Sequence, residues 1–377
     1  MKKICEYDKC TGCGACYNIC QLNAIEMRND KQGFKKPAID DNKCVKCGLC
    51  KKICPAVNKR EKNNKIKSKS YAMYITDDII LKKSSSGGMF YSLAEYFIEE
   101  LHGVVFGAIY DNNNVKIVSA TCMDDVLPMM GSKYVYSDTG YTYREVKKYL
   151  EEERFVLYTG LPCQIAGLLN YLEKKYDTLI TAEILCHGAP SQAFFNKYIE
   201  EIERRYSSKI KKITQRDSSK RWDVLIRKII KIEFENGKQI LRREDWDLYM
   251  SFFIRELSYN DSCYKCQYAN SDRIADITLG DYGGLGTYIP FEKKVTYGVS
   301  FVSLNSKEAY TVVDKLKNVY KEERPSEEIG IMNSAMIRPT KEPKNRGKFK
   351  KDYCELTEKE LFTIIFIEII IILVNLW

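Results

Sequence analysis

The stretches Cys10-Thr-Gly-Cys13-Gly-Ala-Cys16-Tyr-Asn-Ile-Cys20 and Cys44-Val-Lys-Cys47-Gly-Leu-Cys50-Lys-Lys-Ile-Cys54-Pro55 decide the first part of the fold. Each holds three cysteines separated by two residues and a fourth after three more. A tight loop wraps three corners of a cube more easily than four. In such a run the first three thiolates hold one 4Fe–4S cluster, and the fourth reaches across to the other. The spacing therefore assigns Cys10, Cys13, Cys16 and Cys54 to one cluster, and Cys44, Cys47, Cys50 and Cys20 to a second. Gly12, Gly14 and Gly48 let the backbone turn closely around the sulfurs. Zinc is the weaker reading, because an ion needs only four ligands. Gln21, not proline, follows Cys20, and Cys5 lies outside the repeat and reads as a bystander.

Working outward, residues 1–57 read as a small bacterial-type ferredoxin domain, and the polar, Lys-rich stretch 58–70 as a basic linker. The chain has 377 residues, too many for one ordinary core, and its 45% apolar content is that of a folded protein. Met1-Lys2-Lys3 leads at once into Cys5 and charged residues with no apolar run, which reads as a cytoplasmic protein. Fifteen cysteines in that setting are metal ligands or redox groups sooner than disulfides, and nine of them lie in the first 54 residues. The formal charge of +9 is scattered, and thiolate-bound clusters are themselves anionic, so the sequence argues against a nucleic-acid partner.

From Tyr71 the pattern becomes α/β. Gly88–Leu101 has apolar residues at helical spacing and stops at Gly103. Strands are expected at 104–109, 155–158, 179–186, 274–279 and 299–304, and helices at 145–153, 164–174, 193–205 and 246–257. Asn236-Gly237 between the alternating runs 225–234 and 239–243 signals a hairpin. The alternation predicts a mixed-sheet α/β domain over residues 71–345, divided at about residue 155. The remainder, 346–377, is a basic then apolar tail. Its last part, LFTIIFIEIIIILVNLW (361–377), is close to the length of a bilayer span and follows the basic stretch 338–351. Contact with the inner face of a membrane is one reading, and a terminal element docked on the core is another.

Two loops in this domain suit a phosphate or other anion: Ser84–Gly88, which opens the first helix, and Gly131-Ser132-Lys133-Tyr134. Cys163 stands between a strand and a helix, and Cys186 ends a strand, where α/β proteins place their chemistry. With Cys263-x-x-Cys266 they make four thiols, enough for a third 4Fe–4S cluster. Singly, each is equally a core cysteine or part of a redox disulfide. His102, near a helix end, reads as a packing or cap residue. His187, beside Cys186, is the better candidate for a cofactor contact.

The motifs SSGGMF (85–90), GSKYVYSDTG (131–140), TGLPCQIAGL (159–168), CHGAPS (186–191) and SCYKCQYANSDRIADITLGDYGG (262–284) together resemble the beta subunit of coenzyme F-420-reducing hydrogenase and formate dehydrogenase. The resemblance covers about residues 71–285 and extends to the fused N-terminal ferredoxin. It implies an FAD, a third 4Fe–4S cluster, and hydride exchange between the flavin and the deazaflavin coenzyme. Carried over by position, Ser86, Gly87, Gly88, Ser132, Lys133 and Tyr134 would contact FAD. Cys163, Cys186, Cys263 and Cys266 would hold the cluster, with Asp281 an alternative ligand.

The first functional reading is thus an iron–sulfur flavoprotein oxidoreductase. It would pass electrons between clusters and FAD and exchange hydride with coenzyme F-420 or another small organic substrate, with a ferredoxin or other redox protein as partner. An unsaturated compound, a carbonyl or a disulfide would equally suit a ferredoxin-driven reductase. The alternatives are a non-catalytic electron-transfer subunit of a larger redox complex and a redox-sensing scaffold.

Overall fold

Gly14 and Gly48 both adopt left-handed backbone (φ +78° and +79°) where the cysteine loops turn into helices. They open α1 (Ala15–Ile19), which precedes the hairpin β1 (Ile25–Asn29) and β2 (Lys35–Ile39), and α2 (Leu49–Lys52), which follows it. Two loop–helix units around one antiparallel hairpin make the ferredoxin module. The computed structural model describes residues 3–60, 67–217, 229–295 and 297–363.

The larger domain begins with β3 (Lys69–Ile75), two residues inside the stretch read as linker, then α3 (Asp78–Lys83) and α4 (Met89–Glu95). The single helix expected over 88–101 is α4 followed by a π-helical turn, Tyr96–Glu100. The apolar spacing survives such a turn, so sequence periodicity alone does not reveal it. His102 lies just beyond, exposed and at φ +47°. There follow β4 (Val104–Asp111), β5 (Asn114–Ala120), α5 (Met123–Val126), α6 (Thr142–Glu151), β6 (Val156–Gly160), α7 (Pro162–Leu172) and β7 (Leu179–Ile184). A helical and antiparallel insertion comes next: α8 (Gln192–Tyr206), β8 (Ile210–Asp217), β9 (Ile229–Phe234), β10 (Gln239–Arg243) and α9 (Leu248–Ile254). The chain then returns through β11 (Ile277–Asp281), β12 (Ser300–Leu304), α10 (Lys307–Val313), β13 (Val319–Arg324) and α11 (Arg346–Glu355).

The main sheet has eight strands in the order β13-β3-β12-β11-β7-β6-β4-β5. Its centre, β11-β7-β6-β4, is parallel and the flanking pairs are antiparallel, the mixed α/β sheet expected. Covered on both faces, β4 and β6 start with fully buried runs, Val104–Gly107 and Val156–Tyr158, as parallel strands do. The hairpin at Asn236-Gly237 joins β9 to β10, pairing Glu233 with Gln239; residues 225–228 of the run expected there lie outside the described residues.

One core, under α4 and α10, includes Leu93, Phe97, Leu157 and Val302. On the other face α6 and α7 contribute Tyr143, Val146, Ile165 and Leu168, and the same core takes in Cys13, Ala15 and Ile53 of the ferredoxin module. The two modules therefore share a hydrophobic core. The insertion packs separately around Phe194, Tyr198 and Tyr249, and this core includes Leu361 and Phe362. The start of the tail is thus docked on protein, Phe362 stacked against Phe194 at 5.9 Å. Residues 364–377 lie outside the described residues, and among the described ones no helix is long and apolar enough to cross a membrane.

An ion pair inside the sheet locks β7 to the segment entering β11. Arg273 donates to Glu183, and both are buried. Arg273 also donates to the carbonyls of Tyr268 (2.9 Å) and Asn270 (3.1 Å). Burial raises the Glu183 carboxyl, and Arg273 opposes that. Removing one partner leaves a charge without compensation. Arg273→Ala is expected to lower stability by about 3–5 kcal/mol in anaerobic denaturant unfolding; an unchanged midpoint would show that the pair contributes nothing.

Candidate functional site

The structure brings the twelve cysteines singled out from sequence into three groups. Cys10, Cys13, Cys16 and Cys54 line one pocket, so the fourth cysteine of the second repeat does cross to the first loop. Burial raises the Cys50 thiol, and Cys47, Cys44 and Cys20 lie near enough to act in the same direction. Cys163, Cys186, Cys263 and Cys266, drawn from three separate segments, line a third pocket. Among the described residues no three His, Cys, Asp or Glu side chains converge as on a single metal ion. Thiols spread around a shared pocket suit a cube with an iron at each corner.

Two sequence readings need correction. Cys5, set apart by the repeat, nevertheless lines the first pocket beside Cys10 and Cys54. Asp281 does not join the third thiol group. Its carboxylate accepts two hydrogen bonds from Arg216 (2.8 and 2.7 Å) on the wall of a neighbouring cavity.

Burial first, then Cys186, Cys266 and Cys13, push the Cys163 thiol well up, and burial pushes Cys263 up to about 12. Free thiols in these places stay protonated, so thiolates there need a compensating cation, which a cluster provides. Cys163 is the second residue of α7, and Gly167 is one turn further along the same face. A Cβ on Gly167 would stand 3.0 Å from Cys13 Sγ, so this face of α7 lies directly on the first cluster loop. Tyr136 completes the contact, its hydroxyl 3.8 Å from Cys163 Sγ, and it lines the third pocket with Thr11.

Beside the third group lies a cavity of about 350 Å³, within the range of small-molecule sites. Ser86, Gly88, Ser132, Lys133, Tyr134 and His187 line it. Gly87 lies behind the rim: its N–H donates to Ser300 Oγ (2.9 Å), and a Cβ there would strike the Met73 carbonyl. Ser86 is tied to the Val299 carbonyl (3.1 Å), whereas the buried hydroxyl of its neighbour Ser85 has no hydrogen-bond partner. Asn333 Oδ1, also buried on this wall, is likewise unpartnered. Buried polar atoms of this kind can bond to a bound molecule or to an ordered water. Lys133 Nζ donates to the carbonyls of Met129 (3.1 Å), Met130 (3.0 Å) and Gly131 (3.3 Å), holding its own loop in shape. Burial pushes its ammonium down to about 7. Met130–Lys133 and Arg216 also line a larger open groove, which adjoins the cavity. Cys186, His187 and Leu161 belong to both the cavity wall and the third thiol pocket.

Fold and thiol groups together define an iron–sulfur redox protein. Comparison places it further. Residues 9–58 match the 4Fe-4S dicluster domain. Residues 153–328 match the family described as the C terminus of the Coenzyme F420 hydrogenase/dehydrogenase beta subunit. Over 297 residues it is 24% identical to the Coenzyme F420-dependent sulfite reductase of Methanocaldococcus jannaschii. That match takes in 76% of this chain but only 44% of the relative, so the chain spans less than half of that protein's length. A chain of the F420-reducing NiFe hydrogenase complex from Methanosarcina barkeri is similar at 18% identity and a TM-score of 0.45, over 78% of this chain and 90% of that one.

The contact at Gly167 is open to test. Gly167→Val forces side-chain atoms against Cys13, an overpacking that costs about 1–3 kcal/mol. The variant is expected to lose iron from the N-terminal module after anaerobic purification. Full iron content would show that the two modules do not depend on this contact.

Proposed function

We propose that the protein is a flavin- and iron–sulfur-dependent oxidoreductase. FAD would occupy the cavity, the three thiol groups would each hold a 4Fe–4S cluster, and the organic substrate, coenzyme F-420 or another hydride donor or acceptor, would enter by the groove. One observation carries this reading: Cys186 and His187 stand on the wall common to the cavity and the third thiol pocket. Bound there, a flavin supplies exchange of a hydride on one side and of single electrons on the other.

The chain's own residues then have distinct tasks. Ser85 and Asn333 offer unsatisfied hydrogen-bonding atoms to the cofactor. Lys133 keeps the loop 129–133 in register, and the Arg216–Asp281 pair holds β8 to the end of β11 at the cavity wall. Tyr136 and Leu161 close the third thiol pocket, a boundary that helps keep water from the buried thiolates. The thiol groups follow one another from Cys186, through Cys163 and Cys13, to Cys16 and Cys50, a series that suits single-electron relay.

A second reading, an electron-transfer subunit serving a separate catalytic chain, is favoured by one observation. Ile331, Met332 and Ile337 are 52%, 69% and 64% exposed beside the Gly283-Gly284 turn, an apolar patch suited to a partner.

Anaerobically purified protein should contain about twelve irons and one FAD, and Cys163→Ser should remove about four of those irons. Unchanged iron in that variant would reject the third cluster. Bleaching of the flavin by reduced coenzyme F-420 in the isolated chain supports the oxidoreductase; full cofactor content without turnover of any hydride donor favours the subunit. Lys133→Ala should weaken FAD binding about tenfold while leaving the N-terminal irons in place, and unaltered FAD occupancy at limiting flavin would remove Lys133 from the site.

A further inference from the structure

The three thiol groups differ in their access to solvent. Cys163, Cys186, Cys263 and Cys266 are half-buried, as is Cys10, and Cys13, Cys16 and Cys54 are buried. In the remaining group Cys47 is exposed. From Asp41 to Lys52 every residue is exposed except Cys44, Gly48 and Cys50, and a Cβ on Gly48 would meet no atom within 4 Å. The outer group therefore lies under a thin, open loop.

That loop has the anatomy of a docking face. Its centre is apolar, with Val45 70% and Leu49 39% exposed on either side of Cys47. Val57 and Leu22 are further exposed apolar residues of the module. Lys43, Lys46, Lys51 and Lys52 lie along the same stretch, all exposed, with exposed Asp41 the one acidic residue among them. Lys43 faces Asp40 at 3.5 Å and Lys52 is paired with Glu173 at 2.5 Å; the other two lysines are in no ion pair among the described residues. Interfaces that must form and release quickly combine a small apolar centre with a charged rim, and the charge steers the encounter.

We infer that the surface formed by Val45, Leu49, Lys46 and Lys51 around Cys47 is the electron port of the protein, and that its partner is a small acidic one-electron carrier protein. The inference rests on the proposed reading of Cys20, Cys44, Cys47 and Cys50 as the ligands of one cluster. A cluster exchanges one electron at a time, which suits a protein carrier and not a hydride donor. The lysine rim selects an acidic surface and repels a second copy of this chain. In each encounter the reduced carrier loses one electron and the outer cluster gains it, with no bond made and no proton moved. Two encounters supply the pair that one hydride transfer consumes, and the reverse direction balances in the same way.

The test uses the holoprotein and a reduced acidic bacterial ferredoxin as probe, with the rate of cluster reduction followed by stopped flow at low and high salt. The double variant Lys46→Glu/Lys51→Glu should slow the reaction at low salt at least about tenfold and flatten its salt dependence. The same charge change at Lys238 and Lys294, exposed on the larger domain, should leave the rate within about twofold. A double variant as fast as the unaltered protein, or an equal effect from the control pair, overturns the port. Val45→Ser, which keeps the charge, should also slow the reaction, and an unchanged rate there would remove the apolar centre from the docking face. Iron content and the electron paramagnetic resonance of the reduced clusters separate the two levels of the argument. If Cys47→Ser keeps all its iron and an unaltered spectrum, the cluster reading fails; if the cluster signals persist in the lysine variant but the rate does not change, the port alone fails.

Discussion

Much of this structure depends on one hydroxyl. Tyr143 is buried in α6, and its Oη lies 2.7 Å from the Cys13 carbonyl and 2.8 Å from the Gln164 carbonyl. A phenol has one proton to give, so that proton is shared between the ferredoxin loop and the first turn of α7. The Cys13 carbonyl also accepts from Thr139 (3.2 Å), and Arg144, the residue after Tyr143, donates to the carbonyls of Asn18 (2.7 Å) and Cys20 (2.8 Å). On the opposite side Lys36 donates to the Cys10 carbonyl (2.7 Å) and to Asn260 Oδ1 (3.2 Å). The first cysteine loop is thereby held from both sides, by Tyr143, Thr139 and Arg144 on one and by Lys36 with Asn260 on the other. The residues that do so lie next to the remaining cysteines: Gln164 follows Cys163, and Asn260 is three residues before Cys263.

This arrangement explains why so many polar and titratable groups are buried at the junction. A cysteine loop turns its backbone N–H groups toward sulfur and leaves carbonyls pointing away, and each carbonyl taken from water requires a donor. Tyr143, Thr139, Arg144, Lys36 and Asn260 are those donors. Their side chains fix the backbone that carries the thiols, the supporting role by which an outer layer orients ligands from behind.

The sequence was informative where chemistry is local and mute where it is tertiary. The eight N-terminal cysteines could be grouped from spacing alone, because the crossing of the fourth ligand follows from loop length. The mixed sheet was also legible, since β4 and β6 open on short apolar runs, Val104–Phe106 and Val156–Tyr158, and β7 is apolar but for Thr181 and Glu183. The strand β5 was missed although it carries the signal: Val115 and Ile117 are buried and alternate with exposed Asn114 and half-buried Lys116. Strand β13 had no comparable signal, being largely charged at the sheet edge (VYKEER). Asp281 was considered as a ligand because it is near the CxxC pair in sequence. Its real partner, Arg216, is 65 residues away on another sheet, and no local pattern announces such a pairing. Cys5 escaped for the opposite reason, since a repeat draws attention to its own members and away from a neighbour that folds in among them. The cavity-lining Ser85 and Asn333 became visible only through their unmatched hydrogen-bonding atoms.

The firm seating of the ferredoxin module has a mechanical consequence. Many redox proteins carry their clusters on a tethered domain that swings between donor and acceptor, so that internal traffic is limited by how fast a body moves through solvent. Here the module shares a hydrophobic core with α6 and α7, and its first cysteine loop is bonded to the larger domain through Tyr143 on one side and through Lys36 and Asn260 on the other. On the proposed reading, nothing inside the chain has to travel for an electron to cross it. Thickening the medium would slow the meeting with a partner and leave passage through the protein untouched: the relay behaves as a solid-state component, and diffusion begins only at its surface.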